Sequence, residues 1–143
     1  MDEARRRLIR HGMVLFLLGL LTGLVESQFT NPRMGLAAHL EGLLNGIFLV
    51  ALGSAWGEVT LSRGWKSAAY GTALVVTYGN WAVTTLAAVF GTAALTPIAG
   101  AGHTGLPWQE ALATAGFATV GLAILASSGM ILWGLKGGTN PKG

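Results

Sequence analysis

The sequence contains no cysteine and carries little charge. Charged residues make up 10% of its 143 residues, against roughly 25% in an average soluble domain. Without cysteine, disulfide bridges, iron–sulfur clusters, covalently attached c-type haem and thiol catalysis are excluded together. Any metal bound by this chain would have to use His, Asp, Glu or Asn side chains.

The sequence is instead rich in long apolar stretches. Hydrophobic residues make up 52% of the chain, and the mean hydropathy is +0.56. We predict an all-α fold, an integral membrane four-helix bundle forming a single domain over residues 1–143, with helices at about 8–28, 35–56, 67–90 and 109–135, because a membrane helix needs about 20 mostly apolar residues. Almost no chain is left for a soluble domain, so a catalytic head outside the bilayer is excluded.

The nine Lys and Arg residues lie near the ends of the predicted helices and form no long basic tract. We therefore interpret the net charge of +3 as a topology signal and not as a sign of nucleic-acid binding. Eight cations fall on one side of the predicted membrane and Arg33 alone on the other, which predicts that both termini are cytoplasmic. The eight are Arg5, Arg6, Arg7, Arg10, Arg63, Lys66, Lys136 and Lys142.

The start of the second predicted helix places a histidine, a carboxylate and a carboxamide where each is costly to bury. Around that helix, Gly35, Gly42 and Gly46 fall within about 60° of His39. His39 would then lie in a trough without side chains, where a flat macrocycle bound through the histidine could rest against the helix. The alternative is an interhelical hydrogen bond from a buried histidine beside glycines used for helix packing.

Glu41 and Asn45 form a second polar stripe, roughly 120–200° away from His39 around the helix. Glu41 could act as a general acid or base. It could equally accept hydrogen bonds from Asn45 or from a Thr or Trp of the third helix. Side chains of this one helix could therefore line two different cavities.

The third predicted helix carries a polar face that consists of Thr77, Asn80, Trp81 and Thr84. Asn45 and Asn80 cannot titrate, so they could orient a polar substrate or hydrogen-bond each other. The connection that follows is uncharged and rich in Gly, Pro and Thr, which is typical of a neutral lid, a re-entrant loop or an ordinary exposed loop.

The two other histidines are weaker candidates for a ligand. His11 follows Arg10 at the start of the first helix, where a histidine costs little, and His103 lies in a loop. A haem with two histidine ligands needs both at a similar depth, whereas His39 and His11 fall near opposite ends of their helices. Ligation by one histidine, with an open iron position, fits the sequence better.

Several segments resemble the hydroxylaminobenzene mutases, a small bacterial family of four-helix membrane proteins. The matching segments are RHGMVLFLLGLLTGLV, NPRMGLAAHLEGLLNGIFLVALG, YGNWAVTTLAAVFGT and TPIAGAGHTG. A more distant resemblance is to styrene oxide isomerase, which has a comparable His-Gly opening, an Ala-His followed six residues later by Asn-Gly, and an aromatic/Asn cluster in its third helix.

The resemblance to styrene oxide isomerase implies haem b bound between the protomers of a trimer. Carried over by position, His39 would be the iron ligand, and Asn45 and Asn80 would be the carboxamides of the site. The isomerase has a tyrosine four residues after its third-helix asparagine, where this chain has Thr84. That difference argues against epoxide opening as the native reaction, but it does not affect the haem site that the resemblance implies.

The resemblance to the mutases implies that an aryl hydroxylamine is converted to an aminophenol in the bacterial inner membrane, without net oxidation, as in a Bamberger-type rearrangement. A ferric haem would act as a Lewis acid towards the leaving oxygen. The alternatives are a styrene-oxide-isomerase-like epoxide rearrangement and a non-enzymatic b-type haem electron carrier. The candidate catalytic residues are Asn45, Asn80, Glu41 and Thr84, and the candidate cofactor-binding residues are the metal ligand His39 with Gly35, Gly42, Gly46 and Arg33.

Overall fold

The computed structural model describes residues 3–137, and every regular element within that range is helical. The α-helices are α1 (Glu3–Val25), α2 (Pro32–Ala55), α3 (Arg63–Phe90), the short α4 (Pro97–Gly100) and α5 (Pro107–Leu135). Single 3-10 turns, Glu26–Gln28 and Trp56–Glu58, follow α1 and α2. The four longer helices are each long and apolar enough to cross a membrane, which confirms the all-α prediction.

The four long helices begin two to five residues earlier than the apolar pattern predicts. The first turns of α1 and α3 are polar, so hydrophobicity alone does not mark where these helices start. Pro32 and Pro107 begin α2 and α5, at a position where the missing N–H of proline costs no helical hydrogen bond. Lys142, which entered the cation count, lies outside the described residues.

The helices pack in a row, with α2 between α1 and α3, and α3 between α2 and α5. Glycines allow α1 and α2 to approach closely: a Cβ added at Gly12 would lie 2.6 Å from the carbonyl oxygen of Gly46. A Cβ added at Gly19 would lie 2.7 Å from the backbone nitrogen of Leu43. Small residues that face each other in this way are a common basis of helix association in membranes.

Helix α5 packs chiefly against α3 and leaves most of its surface uncovered. Leu122, Leu125 and Trp133 are 70–72% exposed. At one end, Thr60 ties the α2–α3 connection to α5, because its N–H and its hydroxyl both donate to the carbonyl oxygen of Gly134, at 2.9 and 2.8 Å. The exposed apolar faces would contact lipid chains or other helices in a bilayer.

The connection between α3 and α5 is held at two points. The buried Asn31 caps α2, and its Nδ2 donates to the carbonyl oxygens of Ala99 and Gly100, both at 2.9 Å. The carboxylate of Glu110 accepts from the backbone N–H groups of Ala93, Ala94 and Gly105 at 2.9–3.1 Å. The sequence left open a lid, a re-entrant loop or an ordinary exposed loop. In the structure this connection contains a short helix, α4, that packs against α2.

Candidate functional site

Two amide side chains, one from α2 and one from α3, meet at the carboxylate of Glu41. Asn45, one turn further along α2, donates from Nδ2 to Glu41 Oε2 at 2.9 Å and to the Glu41 carbonyl oxygen at 2.8 Å. Asn80 of α3 donates from its own Nδ2 to the same carboxylate oxygen. No group within residues 3–137 donates to the other oxygen, Oε1. One oxygen is therefore fixed by two amides, and the other is available to a substrate.

The sequence predicted part of this cluster. The spacing of Glu41 and Asn45 places them one turn apart on a helix, and a hydrogen bond between them was one of the alternatives. Asn45 and Asn80 were also considered as partners of each other, but both amides donate to Glu41. A carboxylate oxygen accepts several hydrogen bonds and is a stronger acceptor than an amide oxygen, which explains the preference.

The polar face predicted on α3 divides into two residues that bond to other helices, Asn80 and Trp81, and two that bond within α3, Thr77 and Thr84. Thr77 and Thr84 donate their hydroxyls to the carbonyl oxygens of Ala73 and Asn80, at 2.7 and 2.8 Å, one turn earlier in the same helix. Such bonds satisfy a hydroxyl inside an apolar environment without any partner helix. Thr84, predicted as a catalytic residue, is 4% exposed and lies one turn beyond Asn80, outside the hydrogen bonds of Glu41.

Trp81 connects α3 to α1. Its indole Nε1 donates to the hydroxyl of Thr22 at 3.0 Å, and that hydroxyl donates to the carbonyl oxygen of Leu18 at 2.8 Å. Sequence reasoning did not single out Thr22, although a buried hydroxyl within an apolar run is the signal that could have identified it. This bond links α3 to α1, one residue along α3 from Asn80 of the Glu41 cluster.

His39 lies on the opposite side of α2 and contacts α1. Its Nδ1 donates to the carbonyl oxygen of Gly19 at 2.8 Å. Because a carbonyl only accepts, Nδ1 carries a proton, which leaves Nε2 as the ring nitrogen that could bind a metal ion. A Cβ at Gly23 would lie 2.5 Å from His39 Nδ1, so the ring fits there only because that residue is glycine. The interhelical hydrogen bond considered from the sequence is therefore present, and histidines that bind metals make the same bond.

The open glycine trough expected beside His39 is absent, and that expectation is wrong for the single chain. A Cβ at Gly35 would lie 2.9 Å from the carbonyl oxygen of Glu26, and one at Gly46 would lie 2.7 Å from the backbone of α1. A Cβ at Gly42 would meet the backbone of Gly19. Helix α1 and the turn after it fill the trough, because residues without side chains let another backbone approach. Any group bound at His39 would have to reach it from outside the α1–α2 contact.

The structure does not bring the remaining candidates to His39. The side chain of Arg33 is exposed in the first turn of α2. His11 Nδ1 lies 3.2 Å from the hydroxyl oxygen of Tyr78, and His103 Nδ1 donates to the carbonyl oxygen of Gly100 at 3.1 Å. The described part of the chain contains no group of three or more His, Asp or Glu residues that could hold a metal ion.

Comparisons with known proteins identify relatives along nearly the whole chain. The family model described as styrene oxide isomerase matches residues 4–136. The chain is 46% identical over 132 residues to hydroxylaminobenzene mutase HabB of Ectopseudomonas oleovorans, which covers 92% of this chain and 80% of that protein. It is 43% identical over 108 residues to hydroxylaminobenzene mutase HabA of the same organism, with 75% and 80% covered. No solved structure matches the chain.

Proposed function

Because the chain belongs to the styrene oxide isomerase family and two hydroxylaminobenzene mutases match most of its length, we propose that it rearranges aryl hydroxylamines to aminophenols. The chain is an isomerase of the mutase type. In the proposed reaction the N–O bond breaks, a C–O bond forms on the ring, and the ring carbon loses its proton. The nitrogen gains one proton in exchange, so no electron donor or acceptor is consumed.

The observation that carries this proposal is the carboxylate of Glu41, fixed on one oxygen by Asn45 and Asn80 and free on the other. The departing hydroxyl of a hydroxylamine needs a proton, and the ring carbon must later give one up. When Glu41 is protonated, its Oε1 would donate the first proton as a general acid, and the resulting carboxylate would accept the second as a general base. The amides hold the carboxylate in one orientation, and the apolar helices around it exclude bulk water.

We also propose that His39 binds haem b through Nε2. The bond from His39 Nδ1 to the Gly19 carbonyl supports this, because it fixes the tautomer and the ring orientation that an iron ligand requires. A ferric haem, when bound, supplies a Lewis acid for the hydroxylamine oxygen. Arg33, the one cation predicted at that end of the bundle, would pair with the carboxylates of the haem.

Since His39 faces α1 and Glu41 faces α3, we propose that each site is shared between neighbouring chains of a trimer. One protomer would supply the histidine, and the next would supply Glu41, Asn45 and Asn80. Symmetric assembly repeats such an arrangement at each interface. The uncovered apolar surfaces of the single chain leave room for these contacts.

Turnover of phenylhydroxylamine by the purified protein, without oxygen or an electron donor, tests the proposal. We expect an aminophenol as product, with a Soret absorption band from bound haem. A Soret band without turnover would indicate an electron carrier, and faster isomerisation of styrene oxide would favour epoxide chemistry. In labelled water, an unlabelled product hydroxyl would show that the same oxygen returns to the ring, whereas full labelling would show capture of a water molecule.

A further inference from the structure

A basic cavity of about 580 Å³ lies at one end of the bundle, where α1 and α3 begin and α2 ends. Its walls include Arg7 from α1, Trp56 from the turn after α2, and Arg63 and Lys66 from α3. The distance from Glu41 to Trp56 along α2 is about 22 Å, at 1.5 Å per residue. The cavity is therefore separate from the candidate active site, and its volume falls within the range of small-ligand sites.

The described residues of this cavity leave positive charge unpaired. Arg7 forms an ion pair with Glu3 at 2.5 Å, the one carboxylate among the lining residues. Within residues 3–137, Arg63 and Lys66 form no ion pair. The ammonium of Lys66 instead lies 5.5 Å from the centre of the Trp56 ring. Within residues 3–137, two cations thus line one cavity and neither is paired with a carboxylate.

The lining of the cavity also includes an aromatic wall, formed by Trp56 and Tyr70. Trp56 is 2% exposed, and Tyr70 packs edge-on against it with ring centres 5.9 Å apart. Aromatic side chains of this kind lie at the boundary between the headgroups and the hydrocarbon of a bilayer. The apolar parts of α1 and α3 begin directly beyond this level. A ligand with an anionic head and an apolar continuation would match both walls of the cavity.

From this arrangement we propose that the cavity binds the phosphate diester of an anionic phospholipid. Arg63 and Lys66 pair with the phosphate oxygens, and the Trp56–Tyr70 wall lies beside the glycerol and the start of the acyl chains. Basic pockets between membrane helices recognise anionic lipid headgroups by the same electrostatics. Free inorganic phosphate shares the anionic chemistry but would gain nothing from the apolar wall.

The test is to count bound lipids by native mass spectrometry of the intact protein, delipidated in a neutral detergent and titrated with phosphatidylglycerol or with phosphatidylcholine. We expect one phosphatidylglycerol per chain to bind in preference to phosphatidylcholine. In the double variant Arg63→Gln/Lys66→Gln, its affinity should fall by about tenfold or more, since each cation near a lipid phosphate contributes roughly fivefold. The matched control, Arg5→Gln/Arg6→Gln, removes the same charge from exposed positions of the first turns of α1 and should change the affinity less than twofold.

A variant that fills the space and keeps the charge distinguishes a pocket from a charged surface. Ser67→Phe places a ring in the cavity, and we expect it to lower phosphatidylglycerol binding as well. Equal losses in the two double variants, or full binding by Ser67→Phe, would overturn the proposal. Displacement of the lipid by inorganic phosphate at equal concentration would also overturn it, because the site would then belong to the free anion.

Discussion

His39 and Glu41 lie two positions apart on α2 and contact different helices. The ring of His39 donates to the Gly19 carbonyl of α1 at 2.8 Å, whereas the carboxylate of Glu41 accepts from the Asn80 amide of α3. A short segment of one helix therefore presents two chemically different groups to two neighbours. If both serve one reaction, as we propose, the site would be shared between neighbouring chains.

Replacing Glu41 by Gln should lower kcat by about a hundredfold or more, because general acid–base catalysis contributes typically that much. Glutamine still offers an oxygen to Asn45 and Asn80, so the helices should stay packed. The measurement is the rate of aminophenol formation, alongside the thermal unfolding of the same sample. Glu58→Gln, at an exposed position of the turn after α2, is the control and should retain full activity. Retention of more than a tenth of kcat by Glu41→Gln would remove Glu41 from the mechanism.

Replacing Gly23 by Ala should lower the haem content of the protein about tenfold. Loss of a group that orients a metal ligand typically lowers metal affinity at least that much. The added methyl would lie 2.5 Å from His39 Nδ1 and push the ring away from the Gly19 carbonyl. Soret absorbance per protein measures this. His39→Ala should remove the haem, and His11→Ala and His103→Ala should keep it.

The control for Gly23→Ala is Gly121→Ala, where an added methyl meets nothing within 4 Å. It should bind haem as the unchanged protein does. A full Soret band in His39→Ala would show that the iron ligand is another residue.

Replacing Gly42 by Ala should lower the free energy of unfolding by about 1–3 kcal/mol, the usual cost of overpacking. The new methyl would meet the backbone of Gly19 and the Trp81 ring, so α1 and α2 would have to separate. Unfolding in detergent measures the change. Gly71→Ala, in open space on α3, should be neutral or stabilising by up to about 1 kcal/mol, and equal effects at both sites would contradict the close contact of α1 with α2.

Mixing two inactive variants should restore part of the activity if sites are shared. In assemblies that contain His39→Ala and Asn45→Ala chains, some interfaces would combine an intact histidine with an intact asparagine. Activity is measured on mixtures shown by pull-down to have co-assembled. No recovery in such mixtures would mean that each site is built within one chain.

Reporter fusions at the C-terminus should give a cytoplasmic signal, and fusions within residues 96–106 should give the opposite one. The reason is the positive-inside rule: in the described residues, the charged ends of α1, α3 and α5 lie together, and Arg33 is at the other end. Reversed signals would reject the proposed orientation.

The sequence alone determined the four membrane helices and the directions of the side chains on α2. Apolar length fixes a membrane helix because unpaired backbone groups cannot remain in hydrocarbon. The helical period separates His39 from Glu41 and Asn45 around the axis, and the contacts of these residues with α1 and α3 agree with that separation.

The tertiary structure decided which neighbour each face meets. Periodicity gives a direction around one axis, but not the atoms that stand in that direction, so the glycines beside His39 could equally have bordered a cavity or another backbone. Packing placed α1 against them, brought Asn80 to Glu41, and turned Thr84 back onto its own helix. The loop contacts of Asn31 arose in the same way, because the carbonyl groups that it holds are 68 and 69 residues away in the chain. The bonds of Glu110 to Ala93 and Ala94 span 17 and 16 residues, and no local sequence pattern identifies partners at such distances.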